Sequence, residues 1–308
     1  MLLGVDKPRT WLLVMNNGAE SRATGGLPGG LGVLTVSGGQ LHLVHQESNN
    51  KIRRVFLRDW QNYVSADQAY LYGDALGYWN DLNLSPDVPT NARLMHALYR
   101  KHSNRQVDGV MFMNQHTLAA LMSLTGEIVI DGRRLSAENV ADYVMRGVYF
   151  EHSEDQEKDA ALAKVMTAVF SMLTDQHHDL FSIVKTLAPV AVSGDLRVWA
   201  DDSMVEKQLQ ESSLGGSMTN VSSPTHIIAF NNGGGNKIDA YITESVSYRQ
   251  GQCLSQSGYR QSTLDVVLKN DAPSKGLPIY TTGRLDQNDP NPQVQGSTRM
   301  VVYAHVPI

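Results

Sequence analysis

Apolar positions along this chain switch between two periods. Thr10 to Met15 is an apolar run closed by Pro8 on one side and Asn16-Asn17-Gly18 on the other, which predicts a buried strand. Gly32 to Val36 and Gln40 to Val44 flank Ser37-Gly38-Gly39 and predict a hairpin, because paired glycines supply the backbone angles of a tight turn. Ser65 and Gln68 have the spacing of a reciprocal helix cap and open a helix towards Tyr78; Thr90 is placed to cap a second helix running to His102. Val107 to Met113 and Glu127 to Ile130 read as strands on either side of a helix from Gln115 to Leu124 that stops at Gly126. Asp131-Gly132 then predicts a turn into a helix capped by Ser136.

The strongest helical period lies further on. Leu162, Val165, Met166, Val169, Phe170 and Leu173 form one apolar stripe on a helix running from Glu157. After Pro189 the texture changes: Leu196 to Ala200 predicts a strand and Asp202 to Ser212 a short helix. Four β-rich runs follow, from His226, Ile238, Ser262 and Met300, separated by Gly, Pro, Asn and Ser as in an antiparallel sheet. The fold class expected is α/β over residues 1–219, followed by a smaller antiparallel β-rich portion over 220–308. The last run has no tail behind it, as in a chain truncated inside a longer protein.

Composition narrows the functional classes. Apolar residues make up 42% of the 308 positions, enough for a sizeable core, and 26 Lys and Arg against 31 Asp and Glu give a net charge of −5. That mild acidity, with no basic block, argues against nucleic acid as a partner. No apolar run reaches the roughly 18 residues of a membrane span, so a soluble chain is expected. The lone Cys253 excludes an internal disulfide and a thiolate zinc site.

Candidate chemistry centres on Arg22. It lies in a loop with Gly25 and Gly26 at the exit of the first strand, where a guanidinium and glycine amides can meet phosphate oxygens; a structural turn with one exposed arginine is the competing reading. Arg146 is a second candidate, although Asp142 four residues earlier offers an ordinary helix-surface ion pair. Arg53, Arg54 and Arg58 read either as a basic rim for a diphosphate or as a surface cluster beside Asp59. Lys158 stands among Glu154, Asp155, Glu157 and Asp159, where acids favour a helix start. Glu20 and Asp87 offer a carboxylate pair for glycoside hydrolysis only if folding brings them together. No motif points to a metal site, a Walker phosphate loop or a Gly-x-Ser-x-Gly nucleophile.

Several of these segments resemble the bacterial domain-of-unknown-function family 4012. The resemblance is carried by Arg9 to Asn17, Glu20 to Gly26, the Ser85 to Thr90 turn, Val107 to Val110 and Leu121 to Gly126, then Asn231 to Lys237, Asn270 to Pro273 and Gly276 to Pro278. More distantly, the first part is similar to the LytR-CpsA-Psr (LCP) domain, which moves glycopolymers from a polyprenyl-pyrophosphate carrier to the cell wall. Corresponding places hold Arg22 to Thr24, the Val33 to Val44 hairpin, Asn91-Ala92, Val107-Asp108, Thr125-Gly126 and Tyr143 to Arg146. The departures are Thr24 where that domain has a metal-binding Asp, no Pro-Arg-Asp motif near Glu47 to Asn50, and Lys158 where a later arginine is expected.

This resemblance implies an LCP-like α-β-α sandwich with a mixed sheet. It also implies an extracytoplasmic cell-envelope protein, membrane-tethered in its full-length form, that binds or transfers a phosphate-linked glycan or polyprenyl carrier. Arg22 and Arg146 would then clamp the diphosphate, Gly25, Gly26, Arg54, Arg58 and Lys158 would contribute to binding, and Mg2+ is the candidate cofactor. The alternative is a non-catalytic surface or scaffold module that keeps the fold without transferase activity.

Overall fold

The computed structural model describes residues 4, 6–175, 180–218, 226–253, 260–283 and 294–305. A five-stranded mixed sheet organises the first two thirds. Strand β1 (Arg9–Asn17) pairs antiparallel with β2 (Leu27–Ser37), and β2 with β3 (Gln40–Ser48). The connection between β2 and β3 places Gly38 and Gly39 at φ 57° and 82°, the positive angles that a two-residue hairpin turn requires.

Two α-helices, with four short 3-10 turns, separate β3 from the next strand. Helix α1 (Ala66–Tyr72) has the reciprocal Ser65–Gln68 cap. Helix α2 (Val88–Ser103) starts earlier than Thr90, because Asp87 accepts the Thr90 amide and Pro89 occupies the first turn, where its missing N–H costs nothing. The chain then enters β4 (Gly109–Met113), parallel to β1, and α3 (Gln115–Thr125), capped by Asn114.

Asp131 and Gly132, at φ 50° and 82°, join β5 (Ile128–Ile130) to β6 (Arg133–Leu135), so that turn makes a hairpin and the helix begins after it. A helical segment follows as α4 (Val140–Asp142), a π-helical turn at Tyr143–Gly147 and α5 (Val148–Glu151), with Asn139 instead of Ser136 at its start. The long α6 (Asp155–Asp175) carries the expected apolar stripe. Helix α7 (Leu180–Ser193) contains Pro189 and has no counterpart in the sequence expectation. Strand β7 (Leu196–Ala200) closes the sheet beside β4, giving the order β3-β2-β1-β4-β7, and α8 (Ser203–Gln210) follows.

Both faces of this sheet are covered, which explains why β1 reads as a continuous apolar run. Trp11 and Leu13 join Leu34 and Val36 in a core with Leu118 and Leu121 of α3 and Val165, Val169 and Phe170 of α6. Leu12 and Val14 point the other way, with Leu31 and Val33, into a core with Ala92, Met95 and Leu98 of α2. The architecture is therefore an α/β/α sandwich on a mixed sheet.

The remaining strands form two antiparallel pairs. β8 (Ile227–Asn232) pairs with β11 (Met300–His305), and β9 (Ile242–Cys253) with β10 (Arg260–Asn270); the short helix α9 (Ile279–Thr282) lies between β10 and β11 in sequence. The boundary placed between 219 and 220 falls outside the described residues. The far end of β8 packs on the loop after β1: the Asn232 backbone N–H donates to the Ser21 carbonyl at 2.9 Å, and the Ala23 backbone N–H donates to Asn231 Oδ1 at 2.9 Å.

Candidate functional site

The loop after β1 is pinned by buried asparagines. Asn16 and Asn83 donate to the Thr24 carbonyl at 2.7 and 3.2 Å, and Asn83 also donates to the Gly26 carbonyl. Thr24 donates to the Ser85 carbonyl at 3.0 Å and accepts from Asn91 at 2.8 Å, so the residue standing where the resemblance has a metal-binding Asp fastens the loop to the start of α2. Gly25 and Gly26 adopt φ 76° and 111°, and a side chain on Gly26 would collide with the Asn17 carbonyl. Their role is to shape the turn, and neither lines the polar cavity described next.

That turn delivers Glu20 and Arg22 to a polar cavity of about 320 Å³. The Arg22 guanidinium is buried and heavily engaged: NH1 donates to the carbonyls of Ser21 and Asn232 at 3.0 and 3.2 Å, and NH2 to Glu20 and Asp81 at 3.1 and 3.2 Å. Its Nε finds no acceptor among the described residues. Lys237 donates to the other Glu20 oxygen. Burial pushes the Glu20 carboxyl upward, yet Lys237 and Arg22 outweigh it and hold Glu20 below its ordinary range. Burial wins at Asp81 and Asp239, which are raised despite Arg22 beside the first and hydrogen bonds from Ser21 and Asn232 to the second.

Arg53, Asn49, Asn50, Asn80, Asp155, Asp159 and Tyr280 complete the wall. Asn50 fixes Asp159 with a 2.6 Å hydrogen bond, and Ser48 donates to the same carboxylate oxygen. Three cations, three carboxylates, three amides and one aromatic ring thus face a common space; among the described residues no Ser, Thr, Cys or His side chain lines it. Among the described residues no three carboxylates, histidines or cysteines are grouped to hold a metal. Such a mixed array of donors and acceptors beside a ring suits a hydroxyl-rich head group carrying a charge.

The sequence candidates are dispersed over this geometry. Lys158 lies just behind the wall, its ammonium 2.8 Å from Asp155 and 2.8 Å from the Tyr280 ring centroid, and burial lowers its pKa against the pull of Asp155. Arg54 and Arg58 are exposed and outside the cavity lining, whereas their neighbour Arg53 lines it. Arg146 is not brought to Arg22: it pairs with Asp142 at 2.9 Å and lies over Tyr241. Asp87 is occupied as the cap of α2, bonded to Thr90 and to the Met218 amide, so it forms no catalytic pair with Glu20.

Lys237 and Tyr280 are the site residues that sequence reasoning missed. A signal for the first existed in Asn231 to Lys237, where Asn232 Oδ1 accepts the amides of Gly234 and Gly235 at 2.7 and 2.8 Å and turns the chain back towards Glu20. No comparable signal marks Tyr280, which stacks on Tyr149 with centroids 5.4 Å apart.

Two further cavities adjoin. One of about 540 Å³ shares Asp159 with the polar cavity and is lined by Asn17, Gln46 and Gln115 together with Leu118, Leu162 and Met166. A groove of about 720 Å³ shares Met113 with that second cavity and is almost wholly apolar, running between the sheet, α3, α6 and α7. No helix among the described residues is long and apolar enough to cross a membrane.

No curated protein matches this chain. Among solved structures, protein gbs0355 from Streptococcus agalactiae is similar at 16% identity, covering 69% of this chain and 75% of that one with a TM-score of 0.39. The sandwich strands β1 to β4, the Arg22 loop and the helices through α5 up to Tyr149 all lie within residues 6–149, which match the family described as protein of unknown function (DUF4012).

Proposed function

We propose that this chain is an extracytoplasmic cell-envelope protein that binds a phosphate-linked glycan or polyprenyl carrier. The observation that carries this reading is the graded run of three cavities, polar at Arg22, mixed beyond Asp159 and apolar beyond Met113. An amphipathic carrier has that same order of chemistry from head group to chain. In this reading Arg53, Lys237 and the asparagines meet the phosphate and sugar, while Tyr280 offers the ring against which a sugar face packs. Arg22 acts by shaping the wall, because two carboxylates and two carbonyls already occupy its terminal nitrogens.

The test is thermal unfolding of the purified chain with polyprenyl-pyrophosphate analogues, with and without magnesium. Binding to the folded state raises the midpoint by mass action. Exposed Arg53→Ala is expected to shrink the ligand-induced shift while leaving the ligand-free midpoint in place. Absence of any shift with the parent chain defeats the proposal.

A second reading is favoured by one specific observation: among the described residues no Ser, Thr, Cys or His side chain lines the polar cavity. It supports a binding or scaffold module without transferase activity. A thermal shift without turnover of the carrier selects that reading, and turnover rejects it.

A further inference from the structure

Helix α7 is apolar on both sides. Ile183, Leu187 and Ala191 line the apolar groove against α3 and the sheet. A surface helix ordinarily turns a polar face to water. Here Phe181, Val184, Ala188 and Val192 recur at spacings of three and four on the outer side, and Phe181, Val184 and Val192 are 75%, 53% and 72% exposed. Lys185 is the sole charged residue between Leu180 and Ser193, and it lies on this outer side, where its stem can follow an apolar surface and leave the ammonium at the water boundary.

We propose that α7 docks this chain on the surface of a lipid bilayer, with Phe181, Val184 and Val192 in the acyl boundary and Lys185 among anionic head groups. Two features select a bilayer over a folded partner. Val184 and Ala188 line the groove as well as the exposed stripe, so the groove opens along that stripe. An occupant must therefore present apolar groups both across the stripe and at the groove mouth, as an acyl layer does. Charge is the second feature: in a chain of net charge −5, this helix of 14 residues has no acid and one lysine, complementary to anionic lipid. At a rise of about 1.5 Å per residue the helix is roughly 21 Å long, short of the roughly 30 Å hydrocarbon core, so it lies in the interface and does not cross.

This proposal stands independently of any carrier in the cavities. Its test is co-sedimentation of the purified chain with vesicles of phosphatidylcholine, alone or mixed with phosphatidylglycerol. The chain is expected to partition onto vesicles, more strongly with phosphatidylglycerol. The double variant Phe181→Ser, Val184→Ser is expected to weaken partition by about a hundredfold, from the transfer free energy of two apolar side chains. Lys185→Glu is expected to abolish the preference for phosphatidylglycerol. Matching circular dichroism and unfolding midpoints establish that the variants fold. A parent chain that fails to partition, or a folded double variant that partitions like the parent, overturns the proposal. So does a vesicle-free dimer in sedimentation velocity that the double variant dissolves, since that assigns the stripe to a second copy.

Discussion

The Lys237 ammonium donates to Oε2 of Glu20 across 217 positions of sequence, and both side chains are more than nine-tenths buried. This pair ties the segment after β8 to the loop after β1, and the same Glu20 carboxylate receives Arg22 through its other oxygen. Replacing Lys237 leaves the buried Glu20 carboxylate with Arg22 alone, which it shares with Asp81, so its charge is only partly compensated. Lys237→Met is therefore expected to lower unfolding free energy by about 3 kcal/mol, measured by urea denaturation. The double variant Glu20→Gln, Lys237→Met should recover part of that loss; a single-variant loss below about 0.5 kcal/mol would refute the buried pair as a fastener.

Acid should weaken the same junction in a defined direction. Glu20 is held below its ordinary value of 4.5 in the folded chain, so its contribution is present above the ordinary carboxylate range and disappears as pH falls through the depressed folded-state value. Asp81 and Asp239 have the opposite sign: their raised values favour the fold under acid conditions, and that contribution is lost as pH rises through them. Glu20→Gln should flatten the acid limb of stability against pH relative to the parent. Parallel curves for the two proteins below the carboxylate range would contradict this assignment.

Two glycines should respond differently to alanine. At Gly26 a positive φ of 111° coincides with a collision against the Asn17 carbonyl, whereas Gly38 has a φ of 57° and nothing within 4 Å of an added Cβ. Gly26→Ala is expected to cost more than about 2 kcal/mol and Gly38→Ala about 1 kcal/mol. Equal losses in chemical denaturation would show that packing around Gly26 adds nothing to the backbone strain.

Thr24 offers a test of loop fastening. Thr24→Val keeps the shape but removes the hydroxyl shared by Ser85 and Asn91, and is expected to cost about 1 to 2 kcal/mol. Since Thr24 does not line the polar cavity, ligand-induced stabilisation should persist in the variant. Loss of that stabilisation with an intact fold would place Thr24 in ligand contact.

The parts of this fold legible in the sequence are those whose signal is local. Strand β1 is an apolar run because both its faces are buried, the β2–β3 turn is written in Gly38-Gly39, and the α6 stripe has one polar side to contrast with. Helix α7 was illegible for the converse reason: apolar residues occupy both its sides, which erases the contrast, and Pro189 suggested a break. At the site, Arg22 announced itself by the glycine loop, but its carboxylate partner Asp81 is fixed only by folding. Arg146 looked comparable in sequence, yet its surface pair with Asp142 and the Tyr241 ring retain it elsewhere. Lys237 has a local signal in the turn that Asn232 shapes but finds its Glu20 partner only on folding, and Tyr280 acquires meaning only through neighbours far along the chain.

The wall of the polar cavity draws on stretches around residues 20–27, 49–53, 80, 155–159, 235–237 and 280. A ribosome emitting this chain would release Glu20 and Arg22 long before the lysine and the aromatic ring that enclose them. The receptacle is thus completed only at a late stage of synthesis, since a nascent fragment ending with the family segment still lacks Asp155, Asp159, Lys237 and Tyr280.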